Sequence, residues 1–186
     1  MAGVRVAHRL ITTVMSVALS VRTRPLAAIL FGGFIAGVLD LAYAVLVYSP
    51  GKPILIPQTI ASGILGERSF QGGIATAVLG IVLHFVIALL AAAVFYWAAR
   101  KAGFLIAHAA VAGLAYGAVV YIFMHAIVLP LSAVPHNHMP LIYRVWEFIE
   151  HYFCVGLPIA LSVRHFSQWK LPSSDRHAIA EARFER

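Results

Sequence analysis

The chain has 186 residues, of which 61% are hydrophobic and only 11% charged, with a formal net charge of +7. An ordinary soluble domain is roughly half apolar and a quarter charged. The composition therefore excludes an ordinary soluble fold and points to a bilayer as solvent for the surplus apolar surface. The length suits a single domain. The basic residues lie beside apolar runs, so anionic lipid headgroups are the expected partner, and nucleic acid is not. A single cysteine, Cys154, excludes an internal disulfide and a cysteine metal cage.

Residues 1–26 are read as a cytoplasmic interfacial segment. Arg5, His8, Arg9, Thr12, Thr13, Ser16 and Ser20 recur every three or four residues, and Val, Leu, Ile and Met fill the other face. That is the pattern of an amphipathic helix lying on the inner leaflet. A signal peptide is the rival reading, because Ala18-Leu19-Ser20 resembles a cleavage site. Arg22 and Arg24 directly afterwards argue against export.

Residues 27–163 are expected to form an all-α, four-helix transmembrane domain, with spans at about 27–48, 74–98, 104–129 and 141–163. Each meets the roughly 20 residues that a helix needs to cross the hydrocarbon core. The first carries one charge, Asp40; the second and third carry none; the fourth carries Arg144, Glu147 and Glu150. Ser49-Pro50-Gly51 stops the first span, Arg100-Lys101 closes the second, and Pro130 and Pro135 are expected to break the chain after the third. Pro158 lies inside the fourth and is expected to kink it. Between the first two spans, residues 54–66 are apolar but too short to cross. They predict a short helix starting near Pro57 and ending at Gly66, either on the outer surface or dipping inward as a re-entrant segment.

Lys and Arg set the orientation. Arg5, Arg9, Arg22, Arg24, Arg100, Lys101 and the residues of the basic tail 164–186 fall on one side, whereas only Lys52, Arg68 and Arg144 fall on the other. Both termini are thereby assigned to the cytoplasm. A faint repeat adds to the pattern. Gly33-x-x-x-Gly37 precedes Pro50, and Gly113-x-x-x-Gly117 precedes Pro130, with the same spacing. The chain reads as two parallel hairpins, whose glycines serve close helix packing and leave room for a homo-oligomer.

Charges inside a bilayer are costly and need partners. Counted from the outer end of each span at about 1.5 Å per residue, Asp40 lies roughly 12 Å in, His84 15 Å, His125 6 Å, Glu147 9 Å, Glu150 13 Å and His151 15 Å. Four helices therefore place acids and imidazoles in one outer-half layer. Glu147, Glu150 and His151 share a helix face, with Arg144 a turn earlier as a partner for one carboxylate. Tyr43, Tyr121 and Tyr152 can add hydroxyls. Three readings fit this layer. It can be a hydrogen-bonded structural network. It can be a path for protons or a small solute, since histidine changes charge near neutrality. It can also be a metal or haem site, for which His84, His125, His151 and Glu147 are the candidate ligands, with His136, His138, Met139 and Met124 as further soft or imidazole donors. No phosphate loop, zinc-helix or nucleophile-elbow motif is present, so an enzyme is not the favoured reading. An adaptor acting through the basic tail is a further alternative.

Ala112-Gly113, Phe123-Met124-His125, Leu129-Pro130-Leu131 and Trp146-Glu147 with His151 resemble the second hairpin of YagU-like bacterial inner-membrane proteins, over roughly residues 104–168. The resemblance implies a bacterial inner-membrane setting and little mechanism. It directs attention to His125, Glu147 and His151.

Overall fold

The runs of Ala, Leu, Val and Ile that fill this chain form helices almost throughout. The computed structural model describes residues 25–135 and 140–167, and no strand occurs among them. The amphipathic stretch expected within residues 1–24, the loop residues His136, His138 and Met139, and the tail from 168 onward lie outside the described residues. Residues 25–166 pack as one unit.

Helix α1 spans Pro25–Tyr48. A short helix, α2, follows at Leu55–Leu65 and ends at Gly66 with φ +59°, a conformation that favours glycine. A 3-10 turn at Gly66–Gln71 leads into α3, Gly73–Lys101. A single turn, α4, occupies Phe104–Ala107, and α5 spans Ala109–Phe123. That helix continues through a π segment, Met124–Val128, into α6, Leu129–Leu131. Helix α7 (Leu141–Glu150) likewise continues through a π segment, His151–Gly156, into α8, Leu157–Ser167. Three stretches are long and apolar enough to cross a membrane: Pro25–Tyr48, Gly73–Lys101 and Ala109–Leu131.

One sequence expectation is corrected. The third span does not run unbroken from 104, because His108 leaves the helical region (φ −110°, ψ 43°) and the long helix restarts at Ala109. That helix ends at Leu131, one residue past Pro130, as expected. Pro130 lies inside α6 and cannot donate to the carbonyl four residues back. The turn before it widens to i→i+5 bonding, and the helix runs on to Leu131. Pro158 follows the second π segment in the same way. Both prolines thus re-space the preceding turn.

The packing is inverted relative to a soluble protein. The interior is built mainly from small residues (Ala28, Ala36, Ala92, Ala99, Ala109, Ala160), with Phe95, Tyr96, Ile159 and Val163 among them. Large apolar side chains such as Phe31, Leu46, Val111 and Trp97 point outward. Small residues let helix backbones approach closely. Gly33 and Gly37 of α1 lie against Leu89, Ala88 and Phe85 of α3, and Gly113 and Gly117 of α5 lie against Gly156, Ala160, His151 and Tyr152. The two glycine pairs thus do the same work, each seating a long helix on its partner. Helix α2 folds back along the start of α3, where the Pro57 carbonyl meets Gly80. Gln58 Nε2 donates to the Gly73 carbonyl at 3.1 Å, and Ala133 N donates to the Gly63 carbonyl at 2.9 Å.

At Gly156, an added methyl would collide with the Gly113 carbonyl and the Gly117 backbone, which cannot rotate away. Alanine gains about 1 kcal/mol of helix propensity over glycine, but overpacking costs about 1–3 kcal/mol, so the clash wins. Gly156→Ala is expected to lower the thermal midpoint in detergent. Gly103→Ala, with nothing within 4 Å of the new methyl, is expected to leave it unchanged. Equal midpoints for the two variants would refute the close-contact account.

Candidate functional site

Asp40 lies three residues after Gly37 on α1, on the same face. The Gly37 approach brings α3 near enough for His84 to reach both. His84 Nε2–H donates to the Gly37 carbonyl at 2.8 Å, and Nε2 stands 3.8 Å from the Asp40 carboxylate.

Glu150 and His151 enter where α7 passes into its π segment. Pro158 fixes that widened turn, and Gly117 admits the His151 backbone against α5. His151 Nδ1 is 2.9 Å from Glu150 Oε2 and 2.9 Å from the Glu147 carbonyl oxygen, so one N–H is shared between them. One carboxylate oxygen each from Asp40 and Glu150 and one nitrogen of His151 all lie within 4.8 Å of one another. The Glu150 side chain is 2% exposed and that of His151 9%. Glu150 Oε1 is buried without a hydrogen-bond partner among the described residues. Cys154, one turn beyond Glu150, comes alongside its carboxyl.

A second pair lies beside this centre. His125 Nδ1–H donates to the Tyr121 carbonyl at 3.1 Å, which leaves Nε2 facing Glu147 Oε2 at 3.5 Å. Tyr121 joins the two groups, its ring stacked on His125 at 4.1 Å and edge-on to His151 at 5.4 Å.

All six residues of the expected layer therefore fall into two adjoining clusters, but the pairings differ from those expected. The metal candidates His84, His125, Glu147 and His151 do not form one set. His125 and Glu147 pair with each other, and the group with metal-ligand spacing is Asp40, Glu150 and His151. Among the described residues, Arg144 pairs with neither Glu147 nor Glu150, and both take histidines instead. The Tyr121 hydroxyl donates to the Arg144 carbonyl at 3.3 Å and so contributes its ring, not its oxygen, to the clusters. Tyr43 packs on Tyr48, and Tyr152 on Phe148. Two contributors were missed from sequence: the Gly37 carbonyl and Cys154. The i, i+4 spacing of Glu150 and Cys154 was the available signal for the latter.

The electrostatics are unbalanced. Two ionised carboxylates within 4.8 Å repel by roughly 3 kcal/mol at an effective dielectric of about 20. Imidazoles, and no Lys or Arg, stand beside them among the described residues. A shared proton or a bound cation would relieve that repulsion.

Glu150→Gln is accordingly expected to raise the thermal midpoint in chelator-containing detergent. The amide oxygen still accepts from His151, and its NH2 donates to Asp40 where a carboxylate had repelled it. Glu150→Ala is expected to lower stability by about 1–3 kcal/mol, because it strands the His151 donor and opens a cavity. A glutamine variant that melts below the wild type would show that the two carboxyls do not oppose one another.

Comparison of the chain with protein families, with curated proteins and with solved structures found no match.

Proposed function

We propose that this chain is a four-span protein of a bacterial inner membrane, with both termini in the cytoplasm, that takes a small cation into its Asp/Glu/His centre. Three apolar helices support the membrane setting. The fourth crossing is the helix from Leu141 to Ser167, unbroken through its π segment and roughly 40 Å long at 1.5 Å per residue. Its buried acid, Glu150, turns inward, as an acid in a membrane helix must. Ser162 Oγ donates to the Ala28 carbonyl at 3.1 Å, which sets the end of α8 beside the start of α1. Arg164 then shares an end with the start of α1, and Arg100 and Lys101 close the span that returns to it. Lys52, Arg68 and Arg144 belong to the other end, and the positive-inside rule assigns the first end to the cytoplasm. The resemblance of residues 104–168 to YagU-like proteins favours the bacterial inner membrane, and the basic side suits anionic headgroups.

Helix α3 spans roughly 43 Å, more than the 30 Å of hydrocarbon. Its first two turns, with α2 packed on them down to Gly80, fit the outer interface, so α2 reads as a cap and not as a re-entrant helix.

One observation carries the cation reading: three carboxylates in the apolar body whose ion-pair partners, among the described residues, are all imidazoles. The test is purified protein in sealed liposomes, assayed for uptake of protons, potassium, magnesium and manganese, with Glu150→Gln alongside. Saturable uptake of at least one cation that is lost in the variant is the expected result. No uptake of any cation by the wild type, together with unchanged melting across the panel, would reduce the centre to a structural network. A fluorescent protein fused after Arg186 is expected to fold on the cytoplasmic side, and a dark fusion would reverse the orientation.

A further inference from the structure

We infer that Asp40, Glu150 and His151 form a binding site for a divalent transition-metal ion of the zinc, manganese or iron(II) class. This assignment rests on the cation reading of the same centre and narrows it to one chemical class.

Spacing is the first argument. Oxygen and nitrogen ligands sit at about 2.0–2.2 Å from such ions, so neighbouring ligand atoms of a tetrahedral site are roughly 3.4 Å apart. The three donors here lie within 4.8 Å of one another. Side-chain rotations that bring the donors about 1 Å closer complete the set. The donors come from α1 and from the junction of α7 with its π segment, elements held in place by close backbone packing. The site is therefore largely built before any ion arrives.

Glu150 supplies the second argument, which is independent of the clustering. Its side chain is 2% exposed, and its Oε1 has no hydrogen-bond partner among the described residues. An unsatisfied buried acceptor costs about 1–3 kcal/mol, and more when charged. A proton shared between Asp40 and Glu150 is the competing way to satisfy this oxygen, and metal titration separates the two. A metal ion can take up the lone pairs of both carboxylates.

Charge and ligand type select the ion. Two carboxylates and a neutral imidazole carry −2, which a divalent ion cancels and a monovalent one does not. Calcium prefers six to eight oxygens, and magnesium keeps most of its water. A mixed nitrogen and oxygen set suits zinc, manganese and iron(II). Three protein ligands leave a coordination position open, whereas structural zinc sites are closed by four. The open position fits an ion that is taken up and released. Both supporting histidine bonds fit as well. His151 donates Nδ1–H to the Glu147 carbonyl, and His84, fixed by the Gly37 carbonyl, stands behind Asp40. Such outer partners hold ligands in orientation.

The test uses the full chain, purified in mild detergent and stripped with chelator. Cobalt(II) is titrated in and followed by its visible absorption bands, with zinc(II) as competitor and elemental analysis after dialysis. The expected result is a single ion per chain with bands of nitrogen and oxygen coordination. Affinity is expected to fall by more than about tenfold in Glu150→Gln and in His151→Asn. His108→Ala, outside the centre, should bind like the wild type. Asp40→Asn serves as a second ligand variant if His151→Asn elutes aggregated. Absence of cobalt bands and of stoichiometric zinc in the wild type would overturn the metal site, as would metal retained by both Glu150→Gln and Asp40→Asn. Proton uptake in liposomes without metal binding would sink this inference and leave the broader cation reading standing. Failure of every cation would sink both.

Discussion

The contact between α5 and the π segment that follows α7 is the constraint on which the rest of this molecule depends. Gly113 and Gly117 meet Gly156 and the His151 backbone with no side chain between them. Van der Waals packing between helices is strong only when backbones come this close. The same contact fixes the height and rotation of the α7–α8 helix. A side chain at either face would push the helix outward and take Glu150 and His151 away from Asp40. The polar centre is therefore a consequence of apolar packing, and carboxylate–histidine attraction has no need to assemble it.

Proline acts together with glycine. Pro130 and Pro158 each lack the donor for a carbonyl one turn back, and each follows a π segment. The widened turns contain His125 and His151, the two imidazoles that the second hairpin gives to the polar clusters. A π segment advances the side chains by a fraction of a turn relative to a regular helix. Glu147 and Glu150 both precede the second such segment, three residues apart in the regular turns of α7, and the shift falls on His151 and the residues after it. Glu147 meets His125, while Glu150 meets His151 and Asp40.

Much of the architecture was legible in the sequence, because hydropathy and turn residues are strong local signals. The ends of α1 and α3 and the stop at Gly66 fell close to where they were expected. The acids and imidazoles placed at one level by rise per residue do come together, in two clusters. What could not be read was pairing. Arg144 is the obvious partner for Glu147 by spacing, yet the acid turns to His125 on another helix. Spacing along one helix does not tell which side chain a neighbouring helix brings up, and here the π segment after α5 sets His125 beside Glu147. The break at His108 has no composition signal, because Ala, Val and Leu continue on both sides.

The division of the interior bears on what the centre is for. Most of the apolar core, Ala28 of α1, Phe95, Tyr96 and Ala99 of α3, Ala109 of α5 and Ile159, Ala160 and Val163 of α8, lies toward the end where α1 begins and α8 finishes, and Ala36, Ala92 and Val155 carry it toward the polar centre. The acids and imidazoles of the centre lie toward the other end, the end at which α2 is tied to Ala133. Packing at the first end already joins the helices. If stability were the purpose of the centre, apolar residues of similar size would serve as well or better, because buried charges cost more than they return unless fully satisfied. Glu147 Oε2 and Glu150 Oε1 find no hydrogen-bond donor among the described residues. Two such oxygens are a cost that cohesion does not explain, and under the proposed function a bound cation removes it.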